Sequence, residues 1–445
     1  MYRFVVNTDN SPTIPGAQAG NGLPNGIRAA VLFWRFGPYH HARLKAAGQL
    51  MSVWGVEACA TEDIYAWARM EGADAFTRIT LTDRDSADRR WRQELHKKMW
   101  RALDEIKPQV VVIPGWILPD ALSALSWCAE TRTPAVIMSE SNAWDEPRSF
   151  WKEWIKGRLV KMCAAGLAGG TSNADYLAQL GLSCDRIFLG YDVVDNDYFA
   201  TRTTEIRAAE LRTPNSNLQS PISNLRTKLG LPERYFLASA RFIEKKNLSR
   251  LLEAYARYRV MAEKSEIGNR KSEIWRLVLL GDGHLRESIN HQLSTLNLQD
   301  QVWLPGFKQY DELPKYYGLA SAFIHASTTE QWGLVVNEAM ASGLPVLVSN
   351  RCGCAADLVE DGVNGFTFDP GNVEEMAQRM FQLSTLSPSQ LSTMGAASAR
   401  IIANWGPERF AKGLSMAVTE ALKAGSPPFS FMNRILLNVL SRHKV

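Results

Sequence analysis

The stretch "AFIHASTTEQWGLVVNEAMASGLPVLVS", Ala322 to Ser349, carries the reading of the fold. It opens on a short apolar run, crosses a polar loop and continues as the helix-like segment "GLVVNEAMA". It closes on a second apolar run, "LPVLVS". Parallel neighbours in a sheet need a crossover of about a dozen residues or more, and strand–loop–helix–strand is that crossover. Two residues do not suit a plain core helix: Glu330 and Glu338 sit among Leu, Val, Ala and Met. A fully buried Glu is rare unless it is paired.

The same rhythm extends in both directions. Apolar runs fall at 27–34, 76–81, 109–114, 134–139 and 166–170 in the first half. In the second half they fall at 235–240, 276–281, 301–305, 322–326, 344–349 and 365–368. Continuous rather than alternating apolar runs are expected of parallel strands covered on both faces by helices. Two such series predict an α/β protein of two doubly wound, Rossmann-like domains. The expected division is 1–199, 200–406 and a terminal segment 407–445. Two polar repeats, "NSNLQSPISNL" (215–225) and "KSEIGNRKSEI" (264–274), read as surface insertions.

Composition narrows the function classes. A chain of 445 residues with 46% hydrophobic and 22% charged content is an ordinary globular protein of two or three domains. A net charge of +4 is too small for the basic domain that a nucleic-acid partner would require. The start "MYRFVVNTDN" has no apolar run of signal length, and no span of roughly 18 apolar residues occurs. A cytoplasmic location is the expectation. Six cysteines form no disulfide framework, and Cys352-x-Cys354 lacks a second pair to complete a zinc site.

Glu330 lies in the loop at the carboxyl end of a strand, where open α/β sheets bind ligands. Gly333 lets a ligand approach the backbone, and the first-turn amides of Gly333, Leu334 and Val335 make an anion site. Glu338, just over one turn on, suits two ribose hydroxyls; Glu330 suits those of a sugar. "ASARFIEKKNL" places Arg241 and Lys246 five apart around a second strand end, a candidate diphosphate clamp. "LVLLGDGHL" adds the turn Gly281-Asp282-Gly283 at a third strand end. The spacings Asp83-x-Asp85 and Asp195-x-Asp197 are short and frequent, so no metal is expected.

Taken together, "ARFIEKKN", "LVLLGDGHL", "LPGF", the opening stretch and "EDGVNGFTFDPGN" resemble, in order and spacing, the retaining glycosyltransferases of family 4. The resemblance spans about residues 187–410 and rests on Glu-x7-Glu with the Arg/Lys pair. It implies the GT-B fold, two Rossmann-like domains facing a cleft. It implies a nucleoside diphosphate sugar as co-substrate, a UDP-sugar favoured over a GDP-sugar, with no further cofactor. Arg241 and Lys246 would neutralise the diphosphate, Glu338 would hold the ribose, and Glu330 would address the sugar. Pro305, Gly306 and Phe307 would flank the base, with Gly281 nearby. Transfer would retain anomeric configuration, without a metal, onto a glycan or lipid-linked acceptor.

The first half departs from that pattern. Its first strand-end loop, "RFGPYHHARLKAAG", has a single glycine before its helix, Gly37, and "PGWILPDAL" lacks a histidine. His40 is the candidate for the missing group. Gly37, Tyr39, His41, Glu140 and Asp145 are acceptor-side candidates. The basic, Trp-bearing stretches 89–103 and 150–162 suit either an anionic membrane surface or a solvated helix face with Trp in the core. The second reading is favoured. The tail 429–445 is similarly amphipathic and has no assigned role. Two other functions remain open: a nucleotide-sugar 2-epimerase of the same fold, and a non-catalytic sugar-nucleotide-binding partner protein.

Overall fold

A computed structural model describes residues 26–61, 67, 75–86, 88–210, 225–267, 270–271 and 273–442. The start "MYRFVVNTDN" and most of the Ser-Asn-Leu insertion lie outside the described residues. Seven strands build the first sheet: β1 (Arg28–Phe33), β2 (Ser52–Thr61), β3 (Thr77–Arg84), β4 (Val110–Pro114), β5 (Ala135–Ser139), β6 (Ala165–Ala168) and β7 (Ile187–Leu189). Between them run α1 (Pro38–Ala47), α2 (Arg89–Ile106), α3 (Pro119–Thr131), α4 (Phe150–Val160) and α5 (Thr171–Gln179). Helices α6 (Asn196–Glu210) and α7 (Leu225–Leu229) lead into the second half.

The second half continues with β8 (Tyr235–Ser239), α8 (Leu248–Lys264), a small hairpin β9 (Glu266–Ile267) and β10 (Arg270–Lys271), and β11 (Arg276–Leu280). Then come α9 (Arg286–Thr295), β12 (Val302–Gly306), α10 (Leu313–Leu319), β13 (Ala322–His325), α11 (Leu334–Ala341) and β14 (Val346–Ser349). The chain ends on α12 (Ala355–Leu358), β15 (Gly365–Phe368), α13 (Val373–Ser384), α14 (Pro388–Ile402), α15 (Pro407–Ala424) and α16 (Phe431–Arg442).

The sheets have the orders β3-β2-β1-β4-β5-β6-β7 and β12-β11-β8-β13-β14-β15. Every pairing in both is parallel. In each, the order reverses beside the first strand, and the crevice beyond the strand ends is where such sheets bind ligands. The expected architecture of two doubly wound domains therefore holds. Central strands such as Val110–Pro114 and Val346–Ser349 are almost wholly buried, as their unbroken apolar sequences require.

Strand β2 was not legible as an apolar run, because Gly55 and Glu57 interrupt it. Glu57 is nonetheless fully buried, and it accepts from the Phe36 amide (2.9 Å), Arg78 Nε (2.9 Å) and Thr80 Oγ1 (2.6 Å). A buried carboxylate is tolerated when its oxygens are bonded and a cation is beside it.

Helix α6 passes through position 199 and belongs by packing to the second half. Phe199 and Ile206 join Tyr317 and Val336 in one core cluster, and Arg207 donates to the Gly318 (2.9 Å) and Ser342 (2.6 Å) carbonyls. Helix α15 lies on the first sheet, its Phe410, Leu414, Ala417 and Ala421 packing among Val31, Val112 and Leu167. Helix α16 also returns to the first half, where Leu437 and Leu440 join the core beside α2 and α3.

Candidate active site

The site is built where the strand ends of the second sheet meet those of the first. After β8 the chain turns through Arg241, half-buried, into a short 3-10 turn, Glu244–Lys246. Asn247 ends that turn in a left-handed conformation (φ 58°), which Asn tolerates better than most residues. Its Nδ2 donates to the Ala326 (3.0 Å) and Pro370 (2.8 Å) carbonyls. This buried amide pins the lysine turn against the loop after β13.

Glu330, 9% exposed, lies in that loop. Its carboxylate accepts from Lys246 Nζ, from Lys245 Nζ (3.4 Å) and from Ser327 Oγ (3.2 Å). His325 Nε2 stands 3.4 Å away. Burial alone would raise the carboxyl pKa, but His325, Lys246 and Lys245 hold it well below the usual range. Lys246 and Glu330 were expected to serve different parts of one donor, and the structure pairs them directly. Lys245, His325 and Ser327 were not singled out from sequence. Lys245 was legible as the neighbour of Lys246; His325 reads only as a strand residue until the fold turns it towards Glu330.

Gly333 caps α11 with φ 110°. An added Cβ there would meet nothing closer than 3.5 Å, so it is the backbone angle and not crowding that requires glycine. The first-turn amides of Gly333, Leu334 and Val335 have no carbonyl inside the helix to bond. At Gly281 (φ 119°) crowding is added to the backbone angle: a Cβ would meet the Ala240 carbonyl oxygen at 1.9 Å. Its amide donates to the Gly306 carbonyl (3.0 Å), which joins this turn to the Pro305–Phe307 loop.

Glu338, on α11 eight residues after Glu330, is fully buried. Tyr317 Oη donates to its Oε2 (2.6 Å), and Tyr39 Oη, from the first domain, donates to Oε1. Burial raises its carboxyl pKa to about 7, although both phenols act to lower it. Tyr39 also packs against Trp67 and Tyr310 (ring centroids 6.4 and 5.9 Å apart), and Trp67 packs against Phe307 (5.4 Å). The first domain thus covers the Phe307 and Glu338 end with aromatic rings.

Of the remaining first-domain candidates, Glu140 is brought to the site and the others divide. Asn173 Nδ2 donates to both the Glu140 and the Gln331 (3.3 Å) carbonyls, and burial, opposed by Arg43 and reinforced by the Glu330 charge, raises the Glu140 carboxyl pKa. Gly37 donates its amide to His40 Nδ1 (3.1 Å), which puts the imidazole proton on Nε2. Burial, with Arg43 and Arg35 nearby, lowers His40 to about 3, which keeps the imidazole neutral. His41 packs on Phe76 (5.6 Å) within its own domain, and Asp145 accepts from Arg148 (2.5 Å) and the Asn142 amide (3.3 Å). Asp145 serves its own loop.

That loop was missed as a bridge between domains. Asn142 Nδ2 donates to the Glu330 (3.1 Å) and Gln331 (3.3 Å) carbonyls, and Trp144 Nε1 to the Arg351 carbonyl (3.1 Å). Thr171 holds Asp357 through its amide (3.0 Å) and hydroxyl (2.6 Å). These contacts close the cleft.

Residues 222–400 match the family described as Glycosyl transferases group 1. The second domain is a group 1 glycosyl transferase domain. The resemblance read from the Glu-x7-Glu stretch therefore holds. An alpha-monoglucosyldiacylglycerol synthase of Streptococcus pneumoniae is 34% identical over 146 residues, which cover 32% of this chain and 31% of that protein. The synthase of the same name from Acholeplasma laidlawii is 28% identical over 183 residues, 40% of this chain and 42% of that one. The chain thus spans less than half the length of these curated relatives. Among solved structures, Anabaena HepE in complex with UDP and glucose superposes with a TM-score of 0.63 at 17% identity, covering 88% of this chain and 99% of that one. Its likeness extends the fold beyond the group 1 domain to the first domain as well.

Proposed function

We propose that the protein is a retaining hexosyltransferase that moves a sugar from a nucleoside diphosphate sugar to a glycan or lipid-linked acceptor. The observation that carries this reading is the placement of Glu330, paired with Lys246, and of Glu338 on either side of the first turn of α11. The α11 amides lie between them, as a sugar diphosphate with a ribose at its far end would require. A UDP-sugar is favoured over a GDP-sugar, in keeping with the UDP held by the Anabaena neighbour.

In this reading the bond between the anomeric carbon and the β-phosphate oxygen breaks, and negative charge builds on the departing diphosphate. Arg241, Lys246 and the amides of Gly333 and Leu334 stabilise that charge in a crevice from which the domains exclude water. The acceptor hydroxyl attacks from the same face and gives its proton to the leaving phosphate, so configuration is retained. Cations fixed by the chain do the work that a metal ion would do elsewhere. Glu330, kept ionised by its lysines, accepts hydroxyls of the sugar. Acceptor binding falls to the first domain, with Glu140 and the His40 Nε2–H as the groups at the cleft. Contact with a membrane surface is part of the proposal for a lipid-linked acceptor.

Calorimetric titration with UDP, GDP and ADP, each with and without a chelator, tests the donor half. Selective, chelator-insensitive binding of UDP is the expected result. Binding of none of the three, or binding abolished by chelation, would remove the metal-free clamp.

A further inference from the structure

No helix among the described residues is long and apolar enough to cross a membrane. Large apolar side chains are nevertheless exposed in one region. Of the thirteen that are exposed among the described residues, seven lie on α4 and α16: Phe150, Trp151, Trp154, Phe431, Met432, Ile435 and Val439. Phe150 is 74% exposed, Trp151 69% and Phe431 78%. The expectation that the tryptophans of 150–162 lie in the core is corrected here. It fits α2 better, where Trp91 and Trp100 pack against the core.

The two helices are neighbours, since Arg158 on α4 donates to Asn433 Oδ1 on α16 (3.4 Å). That contact runs through the buried side of α16, where Asn433 is 9% exposed, and it sets α4 beside the helix that carries Phe431. Helix α16 already buries Leu437 and Leu440, so its exposed Phe431, Met432, Ile435 and Val439 form a second apolar face where a soluble helix would carry charge. On α4, helical spacing puts Trp151, Trp154, Arg158 and Lys161 on one stripe, and the Arg158 guanidinium lies over Trp154 at 4.9 Å.

Cations stand beside the α4 rings. Lys152 and Lys161 are exposed, and Arg158 lies over Trp154. Of the acids, Glu153 is held by Arg148, Lys156 and Tyr176, and Glu130 is taken by Arg434. Exposed aromatic and aliphatic groups rimmed by cations match the interface of an anionic bilayer, where rings sit at headgroup depth and Lys or Arg meets phosphate.

Location ties the patch to the site. The Asn142–Arg148 loop, which bonds the Glu330 and Arg351 backbone across the cleft, runs straight into the first turn of α4. We propose that α4 and α16 together form a docking surface for an anionic lipid bilayer, which sets the mouth of the cleft against the membrane so that the acceptor is drawn from the lipid phase. The naming of a lipid-phase acceptor rests on the proposed transfer reaction; the docking surface itself does not.

Cosedimentation of the full chain with phosphatidylcholine vesicles, with and without phosphatidylglycerol, tests it. Binding to the anionic vesicles is expected to weaken at high salt. It should fall at least tenfold in Trp151→Glu and in Phe431→Glu, with UDP binding and the thermal midpoint unchanged. Absence of binding to anionic vesicles, or binding that both variants retain, overturns the proposal. So does self-association of the wild-type chain that the same variants abolish, since a second copy would then cover the patch. UDP titration of the same samples separates failure of the donor site from failure of the surface.

Discussion

Two carboxylates eight residues apart flank the first turn of α11, and their surroundings are opposite. Glu330 is surrounded by Lys245, Lys246, His325 and Ser327, all from its own domain, and stays ionised. Glu338 is surrounded by phenols, one of them from the other domain, and is pushed towards its neutral form. The charged end is therefore complete within one domain. The Glu338 end is completed only when the domains meet, and there the Tyr39 hydroxyl bonds the carboxyl that the proposal assigns to a ribose.

The largest test of this contrast is pH. The Glu338 carboxyl is raised from 4.5 to about 7 by burial, so the folded protein holds a proton that the unfolded chain gives up between those values. The stabilisation is full below pH 4.5 and is lost as pH rises through 7, by about 3 kcal/mol at most. Glu338→Gln removes the titration, so its stability relative to wild type should rise from pH 5 to pH 8 in denaturant unfolding. A constant difference across that range would place the carboxylate in a more polar setting than the phenols provide.

Lys246→Ala acts at the other end. It removes one charge-assisted contact and is expected to weaken UDP binding by about 1.5–3 kcal/mol. Unchanged affinity by calorimetry would take Lys246 out of the clamp. Tyr39→Phe deletes the phenol that crosses the domains, and a contribution of about 1–2 kcal/mol is expected for a hydrogen bond to a buried carboxyl. It should shift the pH midpoint of the stability loss upwards. A midpoint left in place would mean that Tyr317 alone sets the Glu338 environment. The smallest effect is expected from Trp144→Phe, which loses the bond to the Arg351 carbonyl and about 0.5–1.5 kcal/mol of thermal stability. No change in midpoint would mean that Asn142 and Thr171 suffice to hold the domains.

The donor side was legible because its residues lie close to one another along the chain. Glu330, Gly333 and Glu338 share one strand–loop–helix, and Arg241 to Lys246 share one turn. Tyr317 went unread because "PKYYGL" gives no sign that one ring faces Glu338. Asn142 went unread because its partner lies 188 residues away. His40 read as the candidate for the histidine that the later strand end lacks; that the Gly37 amide bonds its Nδ1 and that burial keeps it neutral could be seen only in the fold.

The sequence by itself determined the parallel α/β architecture, through unbroken apolar runs separated by helices, and the charged end of the crevice. Tertiary structure decided how the two domains meet, which hydroxyls surround Glu338, and that α16 lies beside α4 with aromatic rings left in solvent. Apolar periodicity reports which residues must leave water within one element. It carries no record of which distant element will cover them, because that depends on packing between surfaces far apart in the chain.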